Sequence, residues 1–249
     1  MSQRLSRAVA RVLPKRLVGA AVRAVYPRAE PELRHLDEFV PVGGTAVDVG
    51  AWFGPWTARL LRRADRVVAV EADPELAALL GRTFPAVRVV AAAASDRDGM
   101  ATLWSPPAGA IVGLSTLERE AGGGAKVPTV ALDGLGLADV RFLKFDIEGH
   151  ELAALRGAEG LVRGDLPVLL LELEARHGTL DPVVDLLDSW GYAGFVRSGG
   201  RWQSLSGFDL ASHQAAHAAH LTRSFPSRVL FPGTGYLNSV LFRHHSRAR

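Results

Sequence analysis

The sequence predicts an α/β chain in which short buried strands alternate with helices around a mostly parallel sheet. Three observations predict it. Thr45 to Val49 and Arg66 to Val70 are short apolar runs, the pattern of strands buried on both faces. Each run is followed by a helical pattern, so consecutive strands are joined by crossovers. Between the first strand and its helix lies Asp48-Val49-Gly50-Ala51-Trp52-Phe53-Gly54, an abrupt glycine turn spaced D-x-G-x-x-x-G. The 249 residues, 48% apolar and 22% charged, allow one large domain with a sizeable core.

Residues 1 to 26 carry Leu, Val and Ala between arginines at helical intervals, interrupted at Pro14, and predict a helical extension packed through Leu5, Val9, Val12 and Leu13. Glu32 to Val40 predicts a helix leading into the first strand. Pro55 fits an early turn of the helix after the glycine turn, where Ala58, Leu60 and Leu61 are its apolar positions. The second strand ends at Glu71-Ala72-Asp73-Pro74. Pro74 to Phe84 predicts a helix and Val87 to Ala91 a third strand. Met100 to Trp104 and Val127 to Leu132 read as paired strands around a long loop, residues 105 to 126. Val140 to Ile147 is a strand whose alternation sets Lys144, Asp146 and Glu148 on one side. A helix over Glu151 to Leu161, a strand over Val168 to Leu171 and a helix over Asp181 to Trp190 come next. Tyr192 to Val196, Trp202 to Leu205 and Tyr236 to Phe242 supply the last strands. The expected division is a basic extension over 1–40 and a main domain over 41–249, with an inserted hairpin and loop around 100–132 and a C-terminal substrate-side region around 197–235.

Composition excludes several chemistries. There is no cysteine, which removes disulfides, thiolate metal sites and thiol nucleophiles together. Arg4, Arg7, Arg11, Lys15, Arg16, Arg23 and Arg28 all precede the first acid, Glu30. Removing those seven from the net charge of +3 leaves −4 for residues 29 to 249. The body is mildly acidic, and no nucleic-acid partner is expected. The arm alone is basic; it reads as packed on the domain or as a peripheral contact with an anionic membrane face, which suits a cytoplasmic protein at the inner membrane. No run reaches membrane-spanning length.

The strand tips carry the chemistry. Gly50 and Gly54 would let a ligand approach the main chain, and Asp48 beside them would repel a pyrophosphate but attract an ammonium. A dinucleotide fold would need G-x-G-x-x-G, whose second glycine is missing. An acid at the tip of the second strand, Glu71, is placed to accept from ribose hydroxyls. Ala91 to Ala94 leave room for a flat base, with Ser95 and Asp96 as partners of an exocyclic amine, unless they only build a turn. Three charges at Lys144, Asp146 and Glu148 are expensive to bury without a partner or ligand.

Taken together, Asp48 to Ala51, Val70 to Pro74, Ala94 to Gly99, Val127 to Asp133, Phe142 to Gly149, Glu151-Leu152 and Leu155 to Ala158 resemble the FkbM family of methyltransferases, over roughly residues 45 to 175. The resemblance implies a Rossmann-like class I methyltransferase fold with helices on both faces and an antiparallel C-terminal strand. It also implies S-adenosylmethionine as cofactor and methylation of a hydroxyl on a sugar, glycolipid or glycosylated natural product. Carried over by position, Asp48, Gly50, Ala51 and Gly54 surround the methionine part, Glu71 and Ala72 the ribose, and Ser95 with Asp96 the adenine. Asp146 and Glu148 lie beside the reacting methyl, with His150 as an alternative base. Where the family commonly has asparagine this chain has Trp52, which motivates the rival reading, a noncatalytic cofactor-binding or scaffold module in a membrane assembly. No metal is assigned. Asp146 with Glu148 or Glu172 is the set a hard cation would use, His213, His217 and His220 share a helical face, and turnover is expected to survive a chelator.

Overall fold

The computed structural model describes residues 14–104, 116–117, 124–220 and 235–247. The sheet forms around β1 (Thr45–Val49), whose five residues are all buried. It pairs in parallel with β2 (Arg66–Val70) on one side and β7 (Val140–Phe145) on the other. Beyond β2 lies β3 (Arg88–Val90), and beyond β7 lies β8 (Val168–Glu172), both parallel. The far edge is antiparallel: β11 (Ser239–His244) runs against β8, β9 (Tyr192–Ser198) against β11, and β10 (Arg201–Ser204) against β9. The order β10-β9-β11-β8-β7-β1-β2-β3 is that of a doubly wound α/β sheet with an antiparallel C-terminal edge, as the resemblance implied. A second, small sheet joins β4 (Ala93–Ala94), β6 (Ala125–Val130) and β5 (Gly99–Leu103).

Strand alternation divides the core between the two faces. Val47, Val49, Val68, Val70, Leu143, Phe145, Leu169 and Leu171 pack on one face. They meet Ala154 and Leu155 of α4 (Glu151–Arg156), Val162 of α5 (Glu159–Asp165), and Val183 and Leu187 of α6 (Leu180–Ser189). Ala46, Val67, Ala69, Phe142 and Leu170 pack on the other, against Leu60 of α2 (Thr57–Leu60) and Leu80 of α3 (Pro74–Thr83). Leu33, Leu36, Phe39 and Val40 cover that same face.

Two predicted helices differ. Residues 32–40 form two short 3₁₀ turns, Pro31–Arg34 and Leu36–Glu38. The buried Leu33, Leu36 and Phe39 recur every third residue, a spacing that three residues per turn satisfies better than 3.6. The predicted helix over 151–161 is split into α4 and α5 at Gly157. A Cβ there would overlap the carbonyl oxygen of Ser95, so the chain from β4 runs against the helix end. Asp133 then starts α5 afresh, accepting from the N–H groups of Gly160 at 2.9 Å and Leu161 at 2.8 Å.

From Lys15 onward the described part of the N-terminal segment packs against the main sheet's helices and glycine turn. Helix α1 (Lys15–Val25) buries Gly19 and Val22, and Val22 packs with Phe53 and Leu79. Arg23 donates to the Phe53 carbonyl at 3.0 Å. The predicted contacts of Leu5, Val9, Val12 and Leu13 fall outside the described residues.

Gly157 has an ordinary backbone, φ −76°, so a side chain there is penalised by crowding alone. We expect Gly157→Ala to cost about 1–3 kcal/mol. Gly164→Ala in α5, where the new methyl meets nothing within 4 Å, should instead stabilise by about 0.5–1 kcal/mol. Urea midpoints shifting in the same direction for both variants would show that the close approach to Ser95 does not govern the break.

Candidate active site

The tips of β1, β2, β7 and β8 lie along one edge of the sheet, and the polar residues of the chain gather there. Register sets the first pair: Asp48 and Lys144 are directly opposite in β1 and β7. Lys144 is 5% exposed. Its ammonium lies 3.0 Å from Asp146 Oδ2 and 3.9 Å from Asp48 Oδ1, and 5.8 Å from the centre of the Trp56 ring. Asp48 is wholly enclosed. Its Oδ2 accepts from Thr57 Oγ1 at 2.5 Å, while Oδ1 has no hydrogen-bond partner among the described residues.

Two more carboxyl groups close on Lys144 from distant parts of the chain. Glu30 accepts from Trp56 Nε1 at 2.6 Å and hydrogen-bonds Tyr26. Glu172, at the tip of β8, hydrogen-bonds Asp146 and accepts from Asn238 Nδ2. Glu30, Trp56, Lys144, Asp146 and Glu172 line a water-sized cavity. With four carboxyl groups around one ammonium, the charge is divided unequally. Burial would lift Asp146, but Lys144 and the bond from Glu172 outweigh it and hold its carboxyl below the usual range. Burial and the neighbouring negative charge of Asp146 push Glu172 well above its ordinary value. Burial lifts Glu30 to about 7 against the pull of Lys144. Asp146 is therefore the ionised carboxylate, and its side chain is 18% exposed.

The glycine turn has a different logic from the one its spacing suggested. Gly50 has φ +77°, and a Cβ there would overlap the carbonyl of Asp146, whose N–H donates to Val49 O at 3.1 Å. Gly54, also at φ +77°, lies against Phe84 and Leu80. Both glycines are demanded by the approach of other parts of this chain. At the helix start the Ala58 N–H donates to Gly54 O at 3.0 Å. Asp48, expected to attract an ammonium directly or through water, is turned inward, where its carboxyl lies beside Lys144. Ala51 is buried beneath the turn, its N–H directed at Val70 O.

At the tip of β2, Glu71 accepts from the N–H of Trp52 at 2.7 Å and of Asp73 at 2.8 Å. Ala72, half-buried, lies between them. Burial lifts the Glu71 carboxyl to about 7. Asp73 caps α3 through Glu75 N and Leu76 N. Trp52 has φ +51°, a left-handed conformation that asparagine adopts readily and tryptophan does not. Its ring packs 5.5 Å from Tyr26 and 5.0 Å from Phe53. The turn is thus formed with the tryptophan in place, and its N–H makes the bond to Glu71 that holds the first two strand tips together.

The three residues predicted for catalysis part company. Asp146 stays with Lys144. Ser95 Oγ lies 3.0 Å from His150 Nε2 and donates to Asp96 Oδ1 at 3.2 Å, so His150 joins the predicted adenine-side pair rather than the base. Ser95 is buried and Asp96 exposed. Glu148 sits at φ +49° and faces Arg176 at 3.1 Å and His177 at 3.5 Å. The strand ends at Phe145, so alternation no longer governs the residues beyond it. Glu151 accepts from Gly149 N at 3.0 Å, and burial lifts its carboxyl to about 7. His213 and His217 stack at 4.3 Å on and just after α7 (Leu210–Ala216), with ring nitrogens on the Gly235 and His213 carbonyls. Sequence reasoning missed Glu30, Glu174 and His177; the only signal for Glu30 was its place as the first acid after a basic run.

The raised Glu71 carboxyl has a measurable sign. Its folded-state value, about 7, lies above the ordinary 4.5, so the folded protein keeps a proton that the unfolded chain loses. Its contribution to stability is then fullest at low pH and declines as pH rises from about 4.5 to about 7. Glu71→Gln removes this dependence. The unfolding free energy of the variant minus that of the wild type should rise by about 1–3 kcal/mol between pH 5 and pH 8. A difference that is flat with pH would mean that Glu71 is ionised throughout.

The family model for the methyltransferase FkbM domain matches residues 48–193, more than half of the chain and the span from β1 into β9. No curated protein matches. Among solved structures, the methyltransferase FkbM from Methylobacillus flagellatus KT is 21% identical with a TM-score of 0.49, covering 65% of this chain and 42% of its own. This chain therefore spans about two fifths of that protein's length. SMU.1697c from Streptococcus mutans, solved in complex with SAH, is 8% identical with a TM-score of 0.46 and coverages of 86% and 96%. The precorrin-6y C5,15-methyltransferase from Geobacter metallireducens GS-15 is 14% identical with a TM-score of 0.42 and coverages of 83% and 81%. On the family match and the sheet order, the chain belongs to the FkbM family of methyltransferases, class I enzymes whose cofactor is S-adenosylmethionine.

Proposed function

We propose that the protein methylates a hydroxyl group on a sugar, glycolipid or glycosylated natural product. The observation that carries the reading is Asp146, a carboxylate kept ionised at a strand tip by the ammonium of Lys144. The residues present suit the cofactor's chemistry. The strand tips present carboxyl oxygens, among them the buried Oδ1 of Asp48, which has no hydrogen-bond partner among the described residues, and such acceptors suit a positively charged group. Glu71, with lone pairs beyond the two that accept from Trp52 and Asp73, is assigned to the ribose hydroxyls, and Ser95 with Asp96 to the adenine. S-adenosylmethionine supplies an electrophilic methyl group when bound.

The protein's own task is then alignment and proton removal. Asp146 accepts a hydrogen bond from the acceptor hydroxyl and so points its oxygen lone pair. An oxygen gaining a methyl becomes strongly acidic, so a carboxylate of low proton affinity suffices to take the proton as the bond forms. Glu172 and Lys144 keep Asp146 in place by donating to it. Burial of Lys144, Phe145 and Ala51 around this tip limits water there.

No helix among the described residues is long and apolar enough to cross a membrane. A peripheral contact with anionic lipid is assigned to the basic arm. It is supported by the charge asymmetry and by the exposed Arg16 and Leu17 of α1.

Incubation with labelled-methyl S-adenosylmethionine and extracts of glycolipids and small metabolites should place label on a hydroxyl. Asp146→Asn should lower that transfer by about 10²–10⁴ while calorimetric cofactor affinity stays within a few-fold. Label appearing on nitrogen or carbon, or full transfer by the variant, would retire the assignment.

A further inference from the structure

We propose that the tips of β7 and β8 form a site for a first-row divalent cation such as Mn²⁺ or Zn²⁺, ligated by Glu148, Glu174 and His177. One ligand atom from each residue lies within 4.8 Å of the other two. His177 Nε2 is shielded from solvent and has no hydrogen-bond partner among the described residues, yet it sits 3.5 Å from Glu148 Oε2 and 3.8 Å from Glu174 Oε2. In the tautomer protonated at Nδ1, the free Nε2 lone pair faces the same space as the two carboxylates, and a cation there would take a ligand atom from all three. The backbone is committed to the arrangement. Glu148 occupies a left-handed φ of +49°, and Gly149 follows at φ +95°, where a Cβ would stand 3.1 Å from the His177 ring. An imidazole nitrogen with two carboxylates suits Mn²⁺ or Zn²⁺ better than Mg²⁺ or Ca²⁺, which prefer oxygen alone. Three protein ligands also leave positions open for oxygen ligands.

Arg176 makes the site distinctive. Its Nη2 lies 3.1 Å from Glu148 Oε2 and its Nε donates to Glu174, so the guanidinium neutralises the same two carboxylates. It is also the most exposed member, with a side chain 44% accessible, and has solvent to move into. The cation and Arg176 are thus competitors for one pair of ligands. The site stands on this geometry and not on the choice of methyl acceptor.

The test uses the full chain, freed of metal by a chelator and titrated calorimetrically with MnCl₂ and ZnCl₂ alone. One saturable site per chain is expected for at least one of the two ions. The double variant Glu174→Gln, His177→Ala should weaken it by about 100-fold, and Glu159→Gln, an exposed acid on α5, should leave it unchanged. Arg176→Ala should tighten binding several-fold, a change that a purely internal ion-pair cluster does not produce. Absence of saturable binding for both ions, binding that survives the double substitution, or weaker binding in Arg176→Ala would each overturn the proposal and leave a His177–Glu148 ion pair.

Discussion

The ammonium of Lys144 is the fixed point of the site. Taking it out of water costs several kcal/mol, and a buried lysine on its own would shed its proton. Burial pulls in that direction here, but Asp146, Asp48, Glu30 and Glu172 more than offset it and leave Lys144 held above its usual value. Sheet register supplies Asp48, the strand tips supply Asp146 and Glu172, and the N-terminal segment supplies Glu30. One cation favours the ionisation of its four carboxyl neighbours unequally: burial lifts Asp48, Glu30 and Glu172, while Asp146, closest to the ammonium at 3.0 Å, is held below its usual range. That inequality singles out Asp146 among them.

The same constraint explains which parts of the site could be read from sequence. β1 and β2 were legible to the residue, because a run buried on both faces needs only its own composition to announce it. The pairing of Lys144 with Asp146 was legible because the alternation of the strand carries one residue past its end at Phe145. It failed one step later: the chain turns through left-handed Glu148 and Gly149, and Glu148 and His150 leave in separate directions. Proximity along the chain there says little about proximity in space. Glu30 meets Lys144, and His177 meets Glu148, from segments far apart in the chain, and no local pattern encodes that.

Gly50 and Gly54 show a second limit. Their spacing signalled a cofactor turn, and the structure shows that protein packing also makes a demand on each. Gly50 lets the β7 tip come down against the β1 tip, which sets Asp146 beside Lys144. Gly54 admits Phe84 and Leu80, which hold α3 against the turn.

Trp52 links these observations to the N-terminal segment. A left-handed tryptophan costs about 1–2 kcal/mol relative to a residue at ease there. Its ring recovers that cost by packing between Phe53 and Tyr26. Tyr26 in turn hydrogen-bonds Glu30, which reaches the Lys144 cluster through Trp56. The substitution that looked like a lost cofactor contact is therefore one end of a chain of contacts running from the β1 turn, through residues 26–30, to the carboxyl groups around Asp146. With Glu71 fastened to the Trp52 N–H at the other end, the cofactor-side turn and the acidic cluster cannot shift independently. In this chain the basic extension is thus part of what holds the two halves of the site in register, whatever else its charge contacts.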